Sequence, residues 1–139
     1  MKNLRYTALA AGIVLLFAGV VAANDNVVKV YEKYGMSSYL TDSKGMALYW
    51  FKKDSPGNSA CAGPCLEKWP VFYRVKVTPG GGLNTMDFGT IIRPDGKKQT
   101  TFRGYPLYYF FRDTAAGETN GNNINSVWFV VTPSDFPVK

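Results

Sequence analysis

Shifted against itself by 59 residues, the chain matches in register from a glycine to a tryptophan without a gap. Gly45-Met46-Ala47-Leu48-Tyr49-Trp50-Phe51-Lys52-Lys53-Asp54 falls on Gly104-Tyr105-Pro106-Leu107-Tyr108-Tyr109-Phe110-Phe111-Arg112-Asp113. Trp69 falls on Trp128, and Val71 on Val130. One structural unit is therefore written twice, and the fold must give both copies equivalent surroundings. Each copy reads as a turn glycine, an aromatic run, an Asp, a long Gly-, Ser- and Asn-rich stretch, and a Trp opening a second apolar run. The aromatic runs are rich in strand-favouring types. The stretch after each Asp has loop composition. Strand, long loop, strand is the expected order, twice.

Further strands are expected at Val27 to Tyr31, Met36 to Thr41, Phe88 to Arg93 and Gln99 to Phe102. Asp42-Ser43-Lys44-Gly45 and Pro94-Asp95-Gly96 read as turns, and Thr78-Pro79-Gly80-Gly81-Gly82 as a loop or linker between the copies. No stretch sustains a helical period; one or two turns are expected near Cys61 to Lys68. Alternation along the strands is imperfect, as it is where both faces are buried. The expected fold is all-β: a small sandwich or barrel with an internal pseudo-twofold. Copies of this size bury too little surface to stand alone. Residues 24–139 are therefore read as a single β-domain built from two repeats, about 37–73 and 96–132, rather than two domains on a Gly-rich hinge.

Lys2 and Arg5 precede sixteen uncharged residues, Ala8 to Ala23, which end in Val21-Ala22-Ala23. Residues 1–23 read as a secretory signal peptide cleaved after Ala23, leaving no transmembrane anchor. The net charge is +6, and Lys2 and Arg5 contribute two of it. The rest is scattered, with no basic stripe for nucleic acid. The chain has no histidine. That excludes Ser-His-Asp and Cys-His nucleophile systems, His-ligated zinc and blue copper and c-type haem attachment. No cofactor is expected.

The motif Tyr-x-(Phe/Trp/Tyr)-x-x-Asp, here Tyr49 to Asp54 and Tyr108 to Asp113, resembles the signature of a bacterial family of secreted proteins and lipoproteins described as a secreted repeat of unknown function. Its surroundings look like that family too: Tyr39-Leu40-Thr41-Asp42-Ser43-Lys44-Gly45, Ser59 to Cys65, Trp69-Pro70, and Arg93-Pro94-Asp95-Gly96-Lys97-Lys98-Gln99. The resemblance covers about residues 35–133. It implies an envelope location and a repeat domain, and it transfers no catalytic residue. Many members look lipid-anchored, whereas no lipidation cysteine stands near the expected cleavage point here.

Four candidate sites follow. Cys61 and Cys65, four residues apart in an exported chain, suit a disulfide staple. A redox pair, or a soft-metal site with Met46 or Met86, is the alternative. Asp54 and Asp113 suggest paired-carboxylate chemistry, yet equivalent positions in a duplication point to capping of loop N–H groups. Tyr49, Phe51, Trp50 and Trp69, with Tyr108, Tyr109, Phe110 and Trp128, serve either as core or as stacking surface. The loop Asp113 to Asn125 has oxygen ligands at a density that suits Ca²⁺, without an EF-hand pattern. The expected function is a non-enzymatic binding or interaction module of the envelope, periplasmic or secreted. Its partner would be an envelope protein, a glycan or a surface. A redox or metal-handling accessory using Cys61 and Cys65 is the second reading, and a carboxylate-based hydrolase the third.

Overall fold

The computed structural model describes residues 12–19 and 24–137. The leader expected over residues 1–23, with its cleavage point, falls largely outside them. Residues 12–19 form no regular element, and Ile13 to Phe17 are exposed.

Among the described residues, eight short strands, one helical turn and two 3-10 turns are the regular elements, an all-β architecture. The strands are β1 (Val27–Tyr31), β2 (Tyr39–Thr41), β3 (Tyr49–Phe51), β4 (Thr78–Pro79), β5 (Phe88–Ile92), β6 (Lys98–Phe102), β7 (Tyr105–Pro106) and β8 (Trp128–Val130). The helical turn α1 (Cys65–Lys68) starts from Pro64. Three small sheets result, in the orders β2-β1-β4, β3-β8 and β5-β6-β7. The stretch expected as a linker contributes β4, which pairs in parallel with β1. The strand expected from Met36 begins at Tyr39, and the one expected from Gln99 begins at Lys98.

The centre of the molecule is where the copies meet. β3 of the first copy pairs antiparallel with β8 of the second, Tyr49 opposite Val130 and Phe51 opposite Trp128. On its other side β3 meets the second aromatic run. Tyr49 N–H donates to the Tyr108 carbonyl at 2.8 Å, and Tyr108 N–H returns the bond at 3.0 Å. The second run in turn reaches the segment around the first copy's Trp69: Tyr109 N–H bonds the Pro70 carbonyl at 2.7 Å and Phe111 N–H bonds that of Lys68 at 2.9 Å. Each aromatic run is thus flanked by the other copy's run and by the other copy's segment around its Trp, β8 for the first run and residues 68–71 for the second. Tyr49 and Tyr108 are equivalent positions that bond one another, so a pseudo-twofold axis passes between them.

The crossing extends outward. Leu40 N–H bonds Val131, Val131 N–H bonds Leu48, and Leu48 N–H bonds Leu40. Thr100, Phe72 and Leu107 repeat that triangle in the other half, all at 3.0 Å. Gly45 and Gly104, with φ of 84° and 87°, turn the chain into each run. A Cβ at Gly45 would stand 2.9 Å from the Ala116 Cβ, and one at Gly104 would stand 3.0 Å from that of Pro56. Each turn is covered by the other copy's loop.

This ribbon is buried on both faces. Leu48, Trp50, Leu107 and Val131 point into one core with Val28, Leu40, Phe72, Val77, Phe102 and Phe136. Tyr49, Phe51, Tyr108, Phe110, Trp128 and Val130 point into a second core with Tyr39, Ala47, Cys61 and Trp69. The strand period of two is intact; it alternates between two apolar cores, so the sequence shows unbroken hydrophobicity.

Candidate functional site

The repeat-motif residues converge on the second core, beside the pseudo-twofold axis. Trp69 and Trp128 stack face to face, with ring centroids 3.8 Å apart and planes within 4°. Phe51 stacks on the outer face of Trp128 at 4.1 Å, and Phe110 leans on Trp69 at 4.5 Å. Four rings, two from each copy, form one pile. Tyr49 meets Trp69 edge-on at 5.5 Å, and Tyr108 meets Trp128 edge-on at 5.1 Å, an arrangement the aromatic quadrupole favours. All six rings are buried.

The two tyrosine hydroxyls cross the axis. Tyr49 donates to Asp113 Oδ2 at 2.5 Å, and Tyr108 donates to Asp54 Oδ2 at 2.7 Å. The second oxygen of each carboxylate serves its own loop. Asp54 Oδ1 accepts the Ala60 N–H at 2.6 Å, and Asp113 Oδ1 accepts the Asn120 N–H at 2.9 Å. Each Asp therefore caps the loop of its own copy and clamps the tyrosine of the other. Burial pushes both carboxyls above the ordinary Asp range, and the hydrogen bonds they accept work against that rise. Burial likewise raises the phenols of Tyr49 and Tyr108 well above the usual tyrosine range, so both stay protonated donors.

The surroundings of the two pairs differ. Tyr108 shares a 2.6 Å bond with Ser59 Oγ, which also accepts from Arg93 Nη1 at 2.7 Å. Arg93 is buried, and its guanidinium bonds Gln99 Oε1 and the Cys61 carbonyl as well. Tyr49 instead accepts the N–H of Gly121 at 3.2 Å. Gly121 lies flat against the pile: a Cβ there would fall 2.8 Å from Phe110 Cγ and 2.9 Å from atoms of both Trp69 and Tyr49. A third tyrosine–carboxylate pair, Tyr109 to Asp42 Oδ2 at 2.8 Å, joins the second copy to the turn that precedes the first copy's aromatic run. Arg93, Ser59 and the Asp42–Tyr109 bond escape the sequence reading. A buried arginine inside Arg-Pro-Asp-Gly reads as an exposed turn flank. The Tyr39 hydroxyl is buried without a hydrogen-bond partner among the described residues.

Cys61 and Cys65 form a disulfide, with Cα atoms 5.4 Å apart. It pins the start of α1 to the second core, which Cys61 shares with Trp69, and neither sulfur is a thiolate available to metal in this state. The oxygen-rich loop after Asp113 is used internally. Glu118 accepts the Thr114 and Ala115 N–H groups, and Asn122 Oδ1 accepts that of Val130. Among the described residues no cluster of three or more His, Cys, Asp or Glu could hold a metal ion. No helix among them is long and apolar enough to cross a membrane.

No curated protein and no solved structure matches the chain. A family profile does match it, over residues 36–73 and again over 89–132. Those segments are the two copies that cross at the axis, and together they cover more than half of the chain. The chain belongs to the Lipoprotein_15 family, a secreted repeat of unknown function.

Proposed function

We propose that the protein is an exported component of the cell envelope, periplasmic or secreted, that acts as a non-enzymatic binding or interaction module. One observation carries this reading: the groups best suited to chemistry are consumed in joining the two copies. Asp54 and Asp113 are buried, and each is held by a tyrosine and a backbone N–H. A hydrolytic carboxylate pair needs room between its members for a sugar or a water, whereas here the space around the axis is filled by stacked rings. Cys61 is fully buried and Cys65 half-buried within the disulfide, and a five-residue loop closed in the core suits a staple.

Export is supported by the secreted family and by the disulfide, which persists in oxidising compartments. It is further supported by the exposed apolar side chains of Ile13 to Phe17, which suit a leader removed before the protein works. The partner class is an envelope protein, a glycan or a surface. The test is co-purification from the native envelope with the wild-type chain and with Asp54→Asn and Asp113→Asn variants. The variants should melt lower and still capture the wild-type partner. Loss of the partner with unchanged melting would give the carboxylates a binding role instead.

A further inference from the structure

The strand β5 lies at the rim of its sheet, with β6 on one side and, among the described residues, no strand on the other. Its register fixes which way its backbone points. Arg103 N–H bonds the Asp87 carbonyl and Arg93 N–H bonds that of Lys97, so the odd-numbered residues 87 to 93 face β6. Thr90 and Ile92 therefore direct N–H and carbonyl groups outward, and neither has a backbone partner on that side among the described residues. The Phe88 N–H is already used by Thr85.

Natural edge strands are usually blunted by a charge, a proline or a bulge. The five residues Phe88-Gly89-Thr90-Ile91-Ile92 contain no charge and no proline, and they pair with β6 without a bulge. Exposed apolar side chains stand in and beside the strand: Ile92 is 72 % exposed, Met86 90 % and Val75 83 %. Beside the strand, Val75, Lys76, Val77, Thr85, Phe88 and Thr90 help to line a groove of about 150 Å³. That is well below the roughly 300 Å³ at which small-molecule pockets begin, and it suits a side chain.

Charge selects the occupant. The groove carries Arg74 and Lys76 and no acidic lining residue. Arg74 is occupied by the carbonyls of Asp25 and Tyr73 and by Tyr109. Lys76 is exposed and has no hydrogen-bond or ion-pair partner among the described residues. Lys97 and Lys98 stand at the far end of the strand, where Asp95 accepts the Lys97 N–H and pairs with Arg93 at 3.5 Å, and at the near end Asp87 is paired with Arg103 at 3.3 Å. A second copy of this chain would bring the same positive charge to the same edge. The geometry points to β5 as the docking edge for an extended acidic peptide segment of a partner protein, which adds as a fourth strand and places carboxylates against Lys76 and the Lys97-Lys98 pair. This rests on the binding-module reading and names the partner's chemistry.

The experiment uses the full chain and the synthetic peptide Glu-Val-Glu-Thr-Glu-Val-Glu, followed by amide hydrogen exchange and calorimetry. Binding should slow exchange at Thr90 and Ile92 and should weaken as salt is added. Thr90→Pro removes an outward N–H that the sheet does not use, and should reduce affinity at least about tenfold. Lys76→Glu should also weaken binding, at unchanged melting temperature. Absence of binding, binding without protection of Thr90 and Ile92, or equal affinity for a Lys-for-Glu peptide would overturn the inference. So would sedimentation as a dimer with those amides already protected, since the occupant would then be a second copy. If wild-type and Thr90→Pro chains capture the same envelope partner equally, the docking edge is wrong while the binding-module reading stands.

Discussion

Removing one hydroxyl at a time from the crossed tyrosines separates two costs that the pseudo-symmetry makes comparable. Tyr49→Phe and Tyr108→Phe keep the ring volumes and the edge-on contacts with Trp69 and Trp128, so the losses are polar. Each substitution deletes a bond to a buried carboxylate, worth about 1.5–3 kcal/mol. Tyr49→Phe also strands the buried Gly121 N–H, at a cost of about 1–3 kcal/mol. Tyr108→Phe strands less, because Ser59 Oγ keeps Arg93 Nη1 and lies 3.3 Å from the Cys61 carbonyl. Tyr49→Phe should therefore cost about 2.5–6 kcal/mol and Tyr108→Phe about 1.5–3 kcal/mol, so Tyr49→Phe is the costlier of the two. Urea unfolding with an unchanged slope measures both. The dependence on pH adds a second check. The folded-state pKa of Asp113 is raised, mainly by burial, so its contribution is fully present below the unfolded value of about 3.9 and is lost as pH rises through the folded value. Tyr49 holds that rise back. Without its hydroxyl the folded pKa climbs further, and the deficit of Tyr49→Phe should be larger near neutral pH than below about pH 4. Equal costs for the two variants, a reversed order, or a deficit that shrinks towards neutral pH would refute the reasoning.

Two further outcomes follow from the same core. Gly121→Ala pushes a methyl into three rigid rings at 2.8–2.9 Å and should cost about 1–3 kcal/mol. Gly81→Ala, in open space, should stay within about 0.5 kcal/mol of wild type; both are read from denaturation midpoints. Reducing the Cys61–Cys65 bond opens a loop whose closure is worth about 2 kcal/mol, so the melting temperature should fall by roughly 5–10 °C. An unchanged melt after complete reduction would contradict the staple.

Local composition makes the all-β class and the hairpin around Pro94-Asp95-Gly96 legible. The duplication predicts strand, loop, strand twice, yet of those four runs only β3 and β8 are strands among the described residues; residues 69–72 and 107–111 are not. It did not say which copy pairs with which. An offset of 59 residues looks the same whether a run bonds its own last strand or its twin's. The two halves also differ where the sequence suggests identity. Phe129 pairs with Trp50 in a regular strand, while the equivalent Pro70 meets Tyr109 without an N–H to return the bond. The first run is accordingly a strand, and the second is held by isolated bridges at Tyr108. Asp54 and Asp113 read as loop caps from their repetition; the tyrosines they hold were invisible, since each partner lies in the opposite copy. Arg93 was missed because its burial depends on Ser59 and Gln99, which nothing in the local pattern marks.

The reciprocity has the form of an isologous interface: residue i of one copy meets j of the other, and j meets i. Tyr49 to Asp113 and Tyr108 to Asp54 are that relation, and so are the two triangles around Leu48 and Leu107. Such an interface leaves neither half a complete structure. Cutting the chain between Gly80 and Gly82 keeps the sheets β2-β1-β4 and β5-β6-β7 each within one half, yet a separated half leaves β3 without both of its neighbours and Trp69 without Trp128. Each half then exposes one side of both cores, so neither alone should show a cooperative melt. Mixed halves should recover the near-ultraviolet circular dichroism of the stacked tryptophans as a one-to-one complex, with a stability that rises with concentration. A half that melts cooperatively alone, with a tryptophan signature of its own, would mean that each repeat can close on itself. The crossing would then be a choice of partner rather than a condition of folding.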